Sequence, residues 1–149
     1  MKGKPMTRSD DAHAQFMKRF TCSAAVFSAF SGELGLDPAT ARKIACGFGA
    51  GVSKTGGLCG AVSGGIMVIG LKYGKAAEGD EAATEKTRAL VRQFMEEFKS
   101  KNGSVNCTEL LGYDLSDPAA YEAARKSGVF LSKCPALVRD AAGILEQIL

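Results

Sequence analysis

The chain has 149 residues, 46% hydrophobic and 23% charged, the balance of a globular domain rather than of a disordered or fibrous chain. Its 19 Lys and Arg are interspersed with 16 Asp and Glu, and a net charge of +3 without a basic block argues against nucleic acid as a partner. No apolar core follows the basic start, so no secretory leader is expected, and the most apolar stretch, Ile66 to Leu71, falls far short of the roughly 20 residues that cross a bilayer.

In chain order, residues 1–8 read as a flexible tail, after which Ser9–Asp11 offers a cap and first-turn acids. Phe16, Phe20, Ala24, Phe27 and Leu34 follow at helical spacing, which predicts one long first helix ending at Gly35. Its segment Phe20–Phe30 is small or apolar on almost every face, so it is expected to be surrounded by other helices. Asp37 as N-cap with Pro38 at the first helical position opens a second helix, stopped by Gly47. A glycine-rich passage, "GFGAGVSKTGG", leads to an apolar helix from about Cys59 to Tyr73, closed by Gly74. Ala83, Thr87, Leu90, Val91, Phe94, Met95 and Phe98 then lie on one stripe of an amphipathic helix that Gly103 ends. Asn106 and Glu109 have capping-box spacing at the start of a short helix; Ser116 or Asp117 with Pro118 starts another, and "CPALVRDAAGILEQIL" is the last. No segment alternates in the manner of a strand. The fold class expected is all-α, a single helical bundle of six or seven helices spanning 1–149.

Five cysteines, at 22, 46, 59, 107 and 134, are many for a chain expected in the cytoplasm, where structural disulfides are disfavoured. The one histidine, His13, lies near the terminus and is expected to be exposed, so a central histidine base is missing and any metal site must rely on sulfur. Cys59, Cys107 and Cys134 each read as standing at a helix start, where unpaired N–H groups and the helix dipole favour thiolate. Cys22, Cys59, Cys107 and Cys134 are separated by 37, 48 and 27 residues, without the close pairs of zinc ribbons or thioredoxin-like sites. They act together only if helices bring them together. Gly60, Ala61, Gly64 and Gly65 put small residues on the first turns after Cys59, which lets a backbone or a bulky inorganic group approach. The loop before them, with Phe48 and Ser53 where a phosphate-binding loop needs glycine and no strand ahead of it, does not support a nucleotide site. Taken alone, Cys46 reads as a small buried hydrophobe, and Lys54 and Thr55 as solvated loop residues.

At "FTCSAAVFSAF", "GLCGAVSG", "NCTELLGYDL" and "KCPALV" the sequence resembles the C_GCAxxG_C_C family of small redox-active prokaryotic proteins, from about Phe16 to Leu149. The resemblance implies that Cys22, Cys59, Cys107 and Cys134 are the functional cysteines, with Gly60, Ala61 and Gly64 completing the central element and Cys46 incidental. Thr21 stands where relatives usually carry Asn. A related cysteine-bearing domain occurs in split-Soret cytochromes with an iron–sulfur centre, which implies a [2Fe-2S] cluster or other iron site on these thiolates; as a donor set, four thiolates also suit a single iron or zinc. No C-x-x-C-H haem attachment sequence is present, so no haem is expected.

The reading is a cytoplasmic redox-active or electron-transfer protein, an oxidoreductase component if an enzyme, serving a redox partner protein. Its four cysteines either hold a metal or cluster or cycle a disulfide. The rival is a structural or adaptor module with a zinc staple or merely buried cysteines. Nothing in the sequence fixes whether the chain forms a homo-oligomer.

Overall fold

Polar caps and glycines divide the chain into helices in the computed structural model, which describes residues 6–149. Among these residues there are eight regular helices and no strand: α1 (Arg8–Met17), α2 (Cys22–Ser31), α3 (Pro38–Ala45), α4 (Gly60–Tyr73), α5 (Glu81–Asn102), α6 (Cys107–Leu111), α7 (Pro118–Ser127) and α8 (Val129–Ile148). Side-chain oxygens of Thr21, Asp37, Asp80, Asn106 and Asp117 each accept a backbone N–H of the first turn they precede, as their residue types favour. Left-handed Gly103, Gly112 and Gly128 end α5, α6 and α7.

Four boundaries differ from the expectation, one being that α2 ends at Ser31, ahead of the expected stop at Gly35. Arg8 already lies in α1 and Thr7 caps it through a reciprocal pair with Asp10, so the expected tail overlaps the helix; residues 1–5 of that tail lie outside the described residues. The single long first helix is two helices, because Arg19 turns left-handed (φ 72°) and the extended Thr21 starts α2 afresh, with its hydroxyl accepting from the Ala24 N–H at 3.1 Å. Phe16 and Phe20 both pack against the main core, so the apolar spacing runs across the break unmarked. Finally, α8 begins at Val129 rather than near Cys134: Gly128 (φ 79°) links α7 directly to α8 and Pro135 is taken into the helix. Its missing N–H leaves the Leu131 carbonyl without an intrahelical partner, at a residue that is 70% exposed and open to water.

The segment expected to be surrounded is so: Ser23 to Ser31 are all buried, and α2 packs against α1, α3 and α4. Glycine makes the α2–α4 approach close. A Cβ on Gly64 would stand 2.5 Å from the Ser23 carbonyl oxygen, and one on Gly60 3.1 Å from the Cys22 Cβ. On the next face of α4, Gly65 receives the ring of Phe94, so the α5 stripe is core at Phe94 and Phe98, both fully buried. A smaller apolar cluster, built on Cys107, Leu111, Leu115, Ala124, Val129 and Cys134, lies beside the main one; Phe16 and Cys22 pack against both.

Candidate functional site

The glycine-rich loop folds back through an unusual backbone. Ala50, Gly51, Val52, Ser53 and Lys54 all have positive φ (57°, 67°, 65°, 51° and 68°), a left-handed turn that four non-glycine residues would avoid without support. The Ser53 hydroxyl donates to the Gly47 carbonyl at 2.7 Å and the Thr55 hydroxyl to that of Gly51 at 2.6 Å, closing the turn on itself. Gly51 needs its missing side chain, since a Cβ there would meet the Gly57 nitrogen at 2.6 Å and the Cys107 Cβ at 2.9 Å.

The strand-like ends beyond this turn set two cysteines side by side. The Cys59 N–H donates to the Val105 carbonyl (2.8 Å) and the Cys107 N–H to that of Gly57 (2.7 Å), around an antiparallel bridge between Leu58 and Asn106. Cys59 is thus the N-cap of α4 and Cys107 the first residue of α6. Cys22 is the first residue of α2, close to Gly60, and Cys134 enters from the sixth position of α8.

All five cysteines line one cavity of about 460 Å3 at the seam between the two apolar clusters. Phe16, Leu111, Tyr121, Phe130 and Leu137 give it apolar walls, and Lys54 stands at its wall with its ammonium 4.2 Å from the Tyr121 ring centre. All five are free thiols; Cys59, Cys107 and Cys134 are buried, Cys22 is half-buried and Cys46 is exposed. Among the described residues no three His, Cys, Asp or Glu side chains converge closely enough to hold one metal ion.

Burial, more than helix position, governs the thiols. It pushes Cys59 up to about 11, although the N–H groups of Ala61 and Val62 pull the other way. Burial likewise carries Cys107 up to about 12, helped by the neighbouring Cys59 and Cys134 sulfurs. Cys22 is raised because its thiol donates a hydrogen bond to Cys134 and because it is desolvated; Cys134 is lowered by receiving that bond. Cys134 is therefore the more acidic thiol of the pair. The expectation of a thiolate at each helix start is overturned for Cys59 and Cys107, where withdrawal from water outweighs the amide field; Cys134 is acidic through a thiol neighbour and not through a helix end.

Of the central element, Gly60 lines the cavity, Ala61 turns its amide to the Cys59 sulfur from a buried position, and Gly64 lies against the backbone of α2. Cys46 is not the buried hydrophobe expected, and Lys54 is more than a solvated loop residue: both line the cavity. His13 is half-buried rather than exposed. The acid-free, glycine-rich run around residues 46–57 was the signal that this loop is a wall of the site.

No helix is long and apolar enough to cross a membrane among the described residues. Residues 20–148 match a family model described as "Putative redox-active protein (C_GCAxxG_C_C)". No curated protein and no solved structure matches the chain.

Proposed function

Since the chain belongs to this family of redox-active proteins, we propose that Cys22, Cys59, Cys107 and Cys134 form one redox centre through which it transfers electrons. The observation that carries the reading is that the four cysteines of the family pattern, dispersed over 113 residues from 22 to 134, line a single apolar-walled cavity. The donor set suits a [2Fe-2S] cluster: sulfur only, spread around a void rather than drawn to a point. A single tetrahedral iron or zinc fits this arrangement poorly, because no three ligands converge.

When bound, such a cluster supplies one-electron chemistry without movement of protein atoms. The chain's own contributions are separate. The Ala61 and Val62 amides stabilise negative charge on Cys59, the aromatic walls exclude water, and the Cys22 thiol donates to the Cys134 sulfur until both give up their protons. The Cys22–Cys134 contact favours a second reading in which these two thiols close a disulfide, passing two electrons to an oxidised redox partner protein and releasing two protons to solvent.

Purification without oxygen or an affinity metal, followed by a visible spectrum and assays of iron, acid-labile sulfide and zinc, tests both readings. Iron with matching sulfide is the expected result. Metal-free protein that loses two thiols on oxidation and regains them on reduction would move the function to the disulfide. Stoichiometric zinc without redox response would overturn both.

A further inference from the structure

We propose that the face around the cavity mouth, carrying Lys18, Arg19, Arg42, Lys43 and Lys54, docks an acidic electron-transfer protein over the cysteine cavity. The proposal rests on the redox reading for its purpose and on charge and exposure for its location. Between Asp37 and Glu78 the chain has no acidic residue, and this stretch holds Arg42, Lys43, Lys54 and the left-handed turn. The Arg42 guanidinium lies 4.6 Å from the ring centre of Phe20, which joins α3 to the turn where Lys18 and Arg19 are exposed. A Cβ on Gly49 would sit 2.7 Å from that of Thr21, so the same turn closes on the cavity rim. Among the described residues none of the five cations takes part in an ion pair, which they share with Lys99 and others elsewhere, so the acid-free stretch and the exposed apolar side chains are what mark this face.

Large apolar side chains are interleaved with these charges. Met17 is 53% exposed, Ile44 52%, Phe48 38% and Val52 40%, and the last three flank the exposed Cys46 in the segment that walls the cavity. Apolar side chains ringed by unpaired charge are the composition of a transient protein interface, in which the charges steer encounter and the apolar centre excludes water. A second copy of this chain would bring like charge against like, and a phosphate backbone would leave the apolar side chains without a partner. An acidic surface answers both. Such a partner would bring its own redox group to the mouth of the cavity that the cysteines share.

Two acidic probes, a plant-type [2Fe-2S] ferredoxin and a flavodoxin, would be titrated onto the full chain by calorimetry and joined to it with a carbodiimide, which links lysine amines to carboxylates in contact. The expected result is binding by at least one probe that weakens about tenfold or more between low and physiological salt. Cross-links should map to Lys18, Lys43 or Lys54. Lys18→Glu with Lys43→Glu, both exposed and unpaired, should weaken binding at least about fivefold, while Lys99→Glu on α5 leaves it unchanged. Binding by neither probe, cross-links confined to Lys86, Lys99 or Lys101, or equal loss with Lys99→Glu would overturn the proposal. Iron, sulfide and thiols measured on the same preparation keep the two ideas apart. Lost docking with an intact redox centre sinks only the docking surface, and retained docking without any centre sinks only the redox reading.

Discussion

Cys134 and Cys22 titrate unequally, the first lowered and the second raised by their contact, and the difference can be measured. Removing the donor with Cys22→Ala should raise Cys134 and slow its alkylation in reduced, metal-free protein by about threefold for each pKa unit regained, the smaller thiolate fraction being partly offset by greater nucleophilicity. Cys22→Ser, whose hydroxyl still donates, should keep most of the rate; equal loss in both variants, read by mass spectrometry of the Cys134 peptide, would count against the contact. The buried thiols carry the opposite sign. Cys59 and Cys107 hold their protons to about 11 and about 12 against an ordinary 9.0, so between those values the unfolded chain binds fewer protons than the folded one. Stability of the metal-free reduced protein is then complete below pH 9 and falls as pH rises toward 11 and 12, for Cys59 by about 3 kcal/mol at most. The lowered Cys134 has the opposite sign: its contribution is complete above the ordinary 9.0 and is lost as pH falls through its folded value. Urea titrations across this pH range provide the check, and a flat profile would contradict the burial argument.

At the scale of the helix, small residues matter only where a neighbour comes close. Gly64 and Gly70 both lie in α4, yet a Cβ at Gly64 meets the Ser23 backbone and one at Gly70 meets nothing within 4 Å. Gly64→Ala should destabilise by about 1–3 kcal/mol, and Gly70→Ala should stabilise by roughly 0.5–1 kcal/mol through helix propensity. Thermal melts of the two variants should move in opposite directions. The left-handed turn makes a further case: Val52 is β-branched at φ 65° and its side chain is exposed, so Val52→Gly should raise the midpoint by relieving about 1 kcal/mol of strain. Capping residues made most elements readable, since Asp37–Pro38, Asn106 and Asp117–Pro118 act through bonds within a few residues. The break between α1 and α2 was not readable. Nothing at Lys18–Phe20 resembles a stop signal, and the turn is held by Thr21 and by α2 packing deep among its neighbours. Pro135 misled in the other direction: a residue that usually opens a helix lies inside one because Gly128 had already turned the chain into α8.

For the whole molecule, the decisive feature is a seam. Two apolar clusters meet at Phe16 and Cys22, and the cavity between them collects sulfur from α2, α4, α6 and α8 together with the 3-10 turn at Cys46. Cys59→Ser should therefore remove cofactor retention or thiol oxidation while far-ultraviolet dichroism stays near that of the parent, because the helices are held by caps and by the main core. Loss of helicity in parallel with loss of the centre would instead make the cysteines a structural staple. The sequence by itself determined the all-α class, most helix ends and which four cysteines to watch, since caps, glycine stops, apolar spacing and a motif are properties of neighbouring residues. The tertiary structure alone decided that those cysteines share one cavity with Cys46 and Lys54, that Cys134 is lowered while Cys59 is raised, and that the first helix breaks. Each depends on what residues far apart in the chain exclude from water, and burial is a property of the packed whole.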